Sequence, residues 1–420
     1  MIKKHVLKNG VRVLTEKLDY VRSVSIGIWV KAGSIYEDKE FNGTSHFIEH
    51  MLFKGTDKRT ANQLAEETDN IGGQMNAFTS KECTCYYIKV LDENLLEAVD
   101  IMSDMFLNSK FDAEDVEKEI SVICEEIKMY DDTPDDLAHE KLSEVLFKRS
   151  SLAYPILGCA KNLKTFNRDK LLHYKNKLYT PERTVISIVG NFNEDEILKV
   201  LEESFGKWTG VSEKPVVKNS SYKKNIVTVN KNIEQLHVTI GNRTVSRHDK
   251  MYYPLQVLSN ILGGSMSSRL FQELRENKGL VYSIYSFSSS YATNGMFGIY
   301  AGLAYDKLEE AMLTIVEEMD KMKAGNISME EFVRAKQQLK SGYILGLEST
   351  SSRMSAIGRR ELLHDKIISF DETIEKINCI KYEDVVELSK SLLNIKDYSA
   401  VLVGNMKKHK DLKDVLTKIM

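Results

Sequence analysis

Proline is scarce in this chain, at five in 420 residues, and glycine stands at only 23. That excludes a collagen-like or Pro/Gly-rich low-complexity chain. No sign of charge dominates. Fifty-eight Lys and Arg stand against 61 Asp and Glu, a net of -3, and without a basic excess no nucleic-acid partner is expected. Long apolar runs are missing too, so no segment is expected to cross a bilayer. The N-terminus begins Met1-Ile2-Lys3-Lys4-His5, but Val6 to Asp19 alternates apolar with polar residues, and no export signal is expected. Cysteines are few and odd in number, five in all, which points to a reducing compartment, the cytoplasm, rather than a disulfide framework. What is present is a globular composition, 42% hydrophobic and 28% charged, in a chain long enough for two or three domains.

An internal repeat sets the expected architecture. Val189-Gly190-Asn191 closes one apolar run and Val403-Gly404-Asn405 another, 214 residues later. Val24-Ser25-Ile26-Gly27 falls on Val238-Thr239-Ile240-Gly241, and Leu163, Phe166, Leu171 and Leu172 fall on Ile377, Ile380, Val385 and Val386, at the same offset of 214. So long a period indicates a duplicated domain rather than a solenoid. The seam is placed in the polar stretch 209–224, which holds Gly210, Pro215, Asn219, Ser220 and Ser221, a linker composition. Two domains are therefore expected, 1–210 and 222–420. Each half opens with alternating strand-like segments (Val11 to Thr15 and Val24 to Val30, or Ile226 to Val229 and His237 to Gly241), passes through amphipathic helices and ends on an apolar strand. Strands and helices come in blocks, so the class is α+β, with helices packed on a sheet. Cys83 and Cys85, two apart on an alternating segment, share a face and read as buried thiols.

The chemistry is concentrated in His46-Phe47-Ile48-Glu49-His50. Thr44 or Ser45 suits a helix N-cap, and on a helix residues four apart share a face, so both imidazoles can reach one ion. Glu49 lies one position before His50 and can hang beside the metal without ligating it. Zinc held by two His and one carboxylate keeps a position open for water, and a neighbouring carboxylate can serve as general base. The third ligand must come from elsewhere. From Glu114 to Tyr130, residues Val116, Ile120, Ile123, Ile127 and Tyr130 form a buried stripe. Glu119 and Glu126 flank it, whereas Glu125 and Lys118 point to solvent. Acids bordering a buried stripe either pair across the boundary or bind a cation, which favours Glu126 over Glu125 as ligand.

The inverted zinc motif, the downstream Glu helix and the duplicated halves resemble the pitrilysin/insulinase/mitochondrial processing peptidase family of inverzincins, closest to its processing-peptidase branch. The resemblance spans essentially the whole chain. It implies two duplicated domains, each a mainly antiparallel sheet with helices packed on it, the LuxS/mitochondrial-processing-peptidase-like metallohydrolase fold. It places the third ligand 76 residues beyond the second His, on Glu126, and a carboxylate orienting a ligating imidazole on Glu119. Phe53-Lys54-Gly55-Thr56 also looks like the family's. Gly72-Gly73-Gln74-Met75-Asn76-Ala77-Phe78-Thr79 is similar to the family's edge strand, where substrate pairs near Asn76 and Ala77. In the second half, Arg275 and Tyr282 resemble its substrate-clamping pair, the first suited to a substrate carbonyl and the second to the oxyanion.

The resemblance implies a zinc endopeptidase with one Zn2+ per chain, His46, His50 and Glu126 as ligands, and Glu49 activating the attacking water. The second half has no His-x-x-Glu-His, and the positions matching Glu126 are Lys340, Ser341 and Gly342. Because one chain carries both the zinc motif and the Arg/Tyr pair, the expected partner is a second copy. The homodimer would form an enclosed chamber admitting peptides or unfolded segments. The alternative is a catalytically silent or partner-dependent assembly subunit of the same family.

Overall fold

The computed structural model describes residues 1–212, 217, 220–364 and 368–420. Pro215 and Asn219, read as linker residues, lie outside the described residues. Two sheets carry the fold. The first contains β1 (Ile2–Val6), β2 (Arg12–Lys17), β3 (Ser23–Val30), β4 (Gln74–Thr79), β5 (Thr84–Leu91) and β6 (Thr184–Gly190), in the order β1-β2-β6-β3-β5-β4. The second contains β7 (Ile226–Asn230), β8 (Leu236–Thr244), β9 (Val281–Ser290), β10 (Gly295–Leu303) and β11 (Ser399–Gly404), in the order β7-β11-β8-β10-β9. Leaving out β1, the first order repeats as the second, strand for strand. Among the described residues only β2/β6 and β7/β11 are parallel. The class is α+β with two mainly antiparallel sheets, as the repeat and the resemblance implied.

Burial explains the strand sequences. β6 is Thr-Val-Ile-Ser-Ile-Val-Gly and every residue of it is buried, the pattern of a strand covered on both faces. One face of the first sheet packs into an apolar core with Phe47, Met105, Leu171 and Leu201. β4 alternates exposed with half-buried residues because it is an edge strand packed on one side.

The chain forms two compact units that interleave along the sequence. One comprises Met1–Lys128, Tyr154–Lys218 and Ile344–Ser369, the other Met129–Ala153, Asn219–Tyr343 and Phe370–Met420. Four helices matter here: α1 (Thr44–Leu52), α2 (Ala113–Asp131), α3 (Pro134–Leu146) and α4 (Thr350–His364). α3 comes from the first half of the sequence but packs on β8 and β11. α4 comes from the second half and packs on β3 and β6, the equivalent strands of the first sheet. Each sheet thus takes one covering helix from the other half's sequence. No helix among the described residues is long and apolar enough to cross a membrane.

Two local expectations are corrected. The N-cap of α1 is neither Thr44 nor Ser45 but Gly43, at φ 100°, and both hydroxyl residues lie inside the helix. A side chain at Gly43 would collide with the backbone at Leu157 and Gly158, so close packing decides the cap position. The apolar stripe of α2 gives out at Tyr130, which is 45% exposed. The helix has by then passed Lys128, where its share of the first unit ends.

Candidate metal centre

The centre is built on α1 of the first unit. Phe47, Ile48, Met51 and Leu52 anchor the helix in the core, which turns His46, Glu49 and His50 toward α2 and β4. The rings of His46 and His50 stand 4.6 Å apart between centroids. α2 brings Glu126 to them, its Oε2 lying 3.8 Å from His46 Nε2 and 3.7 Å from His50 Nε2. His46, His50 and Glu126 each present one donor atom, all within 4.8 Å of one another. Among the described residues no other group of three or more His, Cys, Asp or Glu side chains is so arranged. Ligand atoms of a tetrahedral zinc stand about 3.4 Å apart, given bonds of about 2.0–2.2 Å. The two His–Glu126 distances are a few tenths wider and all three donors lie within 4.8 Å of one another, so the donor set fits such an ion with a small inward adjustment. Glu125, the neighbour set aside on helical phase, is exposed and pairs with Lys128 at 2.6 Å.

Around this trio the side chains fix ring and carboxylate positions. Glu119 Oε2 lies 2.9 Å from His50 Nδ1, and its Oε1 lies 2.5 Å from Lys54 Nζ. Burial works to raise the Glu119 pKa, but the bonds from His50 and Lys54 and the Lys54 charge outweigh it and hold the carboxyl below its usual range. An ionised Glu119 accepts a hydrogen bond from His50 Nδ1–H, which turns Nε2 toward His46 and Glu126. Burial, followed by the His50 charge, pushes the His46 pKa from 6.5 down to about 3. The Nδ1 of His46 is buried with no hydrogen-bond partner among the described residues, so a cationic ring there would be unsupported. His46 is therefore neutral at physiological pH, which is the ligating form.

Glu49 is half-buried and accepts a hydrogen bond from the Thr79 hydroxyl, at the end of β4. Burial raises its pKa, opposed by Thr79 and His50 and aided by Glu126. A carboxylate of raised basicity one residue from the trio is equipped to take a proton.

β4 is the edge of the first sheet, and α1 packs on it. Asn76 is exposed and Ala77 half-buried. The Ala77 N–H donates to Asn76 Oδ1 at 2.8 Å, so an incoming strand would have to exchange with this contact. In the second unit, Arg275 belongs to a π-helical turn, Phe271–Asn277, where its guanidinium lies 5.1 Å from the Phe271 ring centroid. Tyr282 is the second residue of β9 and is 59% exposed. Cys83 and Cys85 are buried.

Sequence reasoning missed Thr79 and Lys54 as partners of the centre. Lys54 had a signal, since it follows the motif helix by a single turn. Thr79 had none, because its contact with Glu49 depends on how the sheet edge meets α1.

Two family models match the chain, Insulinase (Peptidase family M16) over residues 12–160 and Peptidase M16 inactive domain over residues 165–339. An uncharacterized zinc protease of Bacillus subtilis, YmxG, is 44% identical, covering 97% of this chain and 100% of its own. An uncharacterized zinc protease of Rickettsia bellii is 40% identical over 95% of this chain and 97% of its own. Among solved structures, a protease from Helicobacter pylori shares the fold with a TM-score of 0.89 at 21% identity, covering 96% of this chain and 99% of that one. A chain of the Complex III2 structure from Candida albicans does so with a TM-score of 0.85 at 22% identity, covering 100% of both chains. With a relative so similar from end to end and both halves matched by models of one family, the chain belongs to the M16 peptidases, the pitrilysin/insulinase family that its motif resembles.

Proposed function

We propose that the protein is a zinc-dependent endopeptidase, with one Zn2+ per chain held by His46, His50 and Glu126. The observation that carries this reading is the convergence of those three donors from α1 and α2 beside a half-buried Glu49. The naming of the full-length relatives as zinc proteases agrees with it. When bound, zinc supplies a Lewis acid that polarises a carbonyl and makes water more acidic. Glu49, steadied by Thr79, takes the proton of the attacking water and passes it to the leaving amine. Glu119 keeps the His50 ring in one tautomer and orientation.

The substrate is a peptide or an unfolded segment that adds to the β4 edge at Asn76 and Ala77. Arg275 holds a substrate carbonyl and Tyr282 supports the oxyanion, roles compatible with the exposure of both side chains. The partner is a second copy, forming an enclosed chamber in the cytoplasm. Five free cysteines agree with a reducing compartment. Sedimentation velocity tests the assembly, and a monomer at micromolar concentration would overturn it.

The function is tested by metal analysis together with cleavage of a quenched peptide library, with and without chelator. One equivalent of zinc and chelator-sensitive cleavage are expected. A metal-free protein inert toward every peptide would instead favour a silent assembly subunit.

A further inference from the structure

We propose that Glu37 is a positioning residue for the proposed peptidase, setting the helix of His46, Glu49 and His50 against the strand that carries Thr79. The proposal rests on the zinc reading of the centre and adds a residue outside the motif. Glu37 lies six residues before the N-cap of α1 and is 3% exposed. Its Oε1 accepts from the Ser45 N–H at 2.7 Å, and its Oε2 accepts from the Gly43 N–H at 2.8 Å and Asn42 Nδ2 at 3.0 Å.

Nothing closer in sequence does this work. The N-cap, Gly43, has no side chain, and the Thr44 hydroxyl donates to the Phe41 carbonyl at 2.5 Å. The Ser45 hydroxyl bonds Tyr174 Oη at 3.0 Å. First-turn N–H groups without an intrahelical partner must be met from outside the helix, and a negative charge there also suits the helix dipole. A carboxylate supplies both from a different loop.

The position of that loop matters as much as the cap. The Ser34 N–H donates to the Ser80 carbonyl at 3.4 Å, and the Ile35 N–H to the Lys81 carbonyl at 2.8 Å. Ser80 and Lys81 directly follow Thr79 at the end of β4. A Cβ at Gly33 would stand 2.5 Å from the Ser80 oxygen, so only glycine lets the loop approach this closely. One continuous set of bonds thus runs from the end of β4, through residues 34–37, to the start of α1. The Thr79–Glu49 contact spans the same two elements directly. Glu37 therefore holds the helix at the distance and rotation that this contact and the three proposed ligands require. A carboxylate that merely stabilised a helix would need no tie to the sheet edge.

E37Q keeps the shape but sets an amide N–H2 against backbone donors. Zinc affinity by chelator competition is expected to weaken at least tenfold, in the range of about 10–100-fold seen when ligand-supporting contacts are lost. kcat should fall while KM for a quenched peptide stays within about twofold, because β4 keeps its own register. The visible spectrum of the Co2+-loaded variant should shift, and hydrogen exchange in the metal-free variant should quicken over residues 43–52 but not over 184–190. A lowered Tm with wild-type zinc affinity and an unchanged Co2+ spectrum would overturn the proposal, leaving Glu37 a cap and no more.

If E37Q does not fold, E37D serves instead. It keeps the charge but is one methylene too short, and wild-type zinc affinity in it is the overturning result. Should the wild type bind no zinc while exchange over 43–52 still depends on Glu37, the zinc reading fails and this proposal falls with it. Zinc binding in the wild type that ignores Glu37 overturns the proposal alone.

Discussion

At the scale of single residues, Glu49 is the member of the centre whose proposed role is proton transfer. Glu49→Gln keeps the size of the side chain and its contact with Thr79 but cannot accept a proton. Turnover is expected to drop by about 10²–10⁴-fold, with zinc content by mass spectrometry unchanged. A variant that lost its zinc would show Glu49 to be a structural support instead. His46 gives a pH dependence of known sign. Its folded pKa is about 3 against an ordinary 6.5, so between those values the unfolded chain binds more protons than the native one, and stability falls as pH falls. Urea midpoints of the chelated protein should drop between pH 7 and pH 5, and His46→Asn should flatten the slope. An equal slope in both proteins would remove His46 as the cause.

At the scale of elements, α4 shows how closely a helix can approach a sheet when glycine permits it. Gly358 faces Trp29, and a Cβ there would lie 2.2 Å from Trp29 Nε1 and 2.6 Å from Ser187 Oγ. Those two atoms are bonded to each other at 2.9 Å, and Ser187 Oγ donates to the Met354 carbonyl at 3.0 Å. Gly27 completes the fit, since a Cβ on it would meet Met354 Sδ at 2.4 Å. Gly358→Ala overpacks this contact and is expected to cost about 1–3 kcal/mol, read as a lower urea midpoint at an unchanged slope. A neutral result would mean that α4 can shift outward without loss.

Such contacts mark where the sequence stops being legible. His46, Glu49 and His50 can be read because a helix places them by local spacing alone. For the third ligand the apolar stripe of α2 singles out Glu119 and Glu126, and the family resemblance picks Glu126 between them. Thr79 and Glu37 act through a sheet edge and a loop, whose geometry leaves no period in the chain. The amphipathic pattern of α4 shows that it has a buried face but not which sheet that face will meet.

At the scale of the whole molecule, the repeat at offset 214 was readable as duplication, and the strand order confirms it. The exchange of α3 and α4 was not, because a helix carries no record of which half of the chain it covers. The exchange bears on any attempt to divide the protein. A fragment of residues 1–210 lacks Thr350, which bonds Ser25 at 2.9 Å, and Arg353, which pairs with Glu16 at 2.7 Å. It also lacks Glu361, the partner of Lys4 at 2.7 Å and Arg12 at 3.2 Å. Expressed alone, this fragment is expected to aggregate or to give a poorly dispersed amide spectrum, and adding residues 344–369 in trans should improve it. A well-folded isolated fragment would show α4 to be dispensable.

The lent helix also imposes an order on synthesis. The donors of the metal centre leave the ribosome early, by residue 126, yet α4 begins only at residue 350. At about 5–20 residues per second, the nascent first sheet spends on the order of ten seconds with its β3–β6 face bare. The unit that holds the candidate metal centre thus reaches its finished form only after α4, from the second half of the sequence, has been made, a built-in delay between gathering the donors and covering the sheet that carries them.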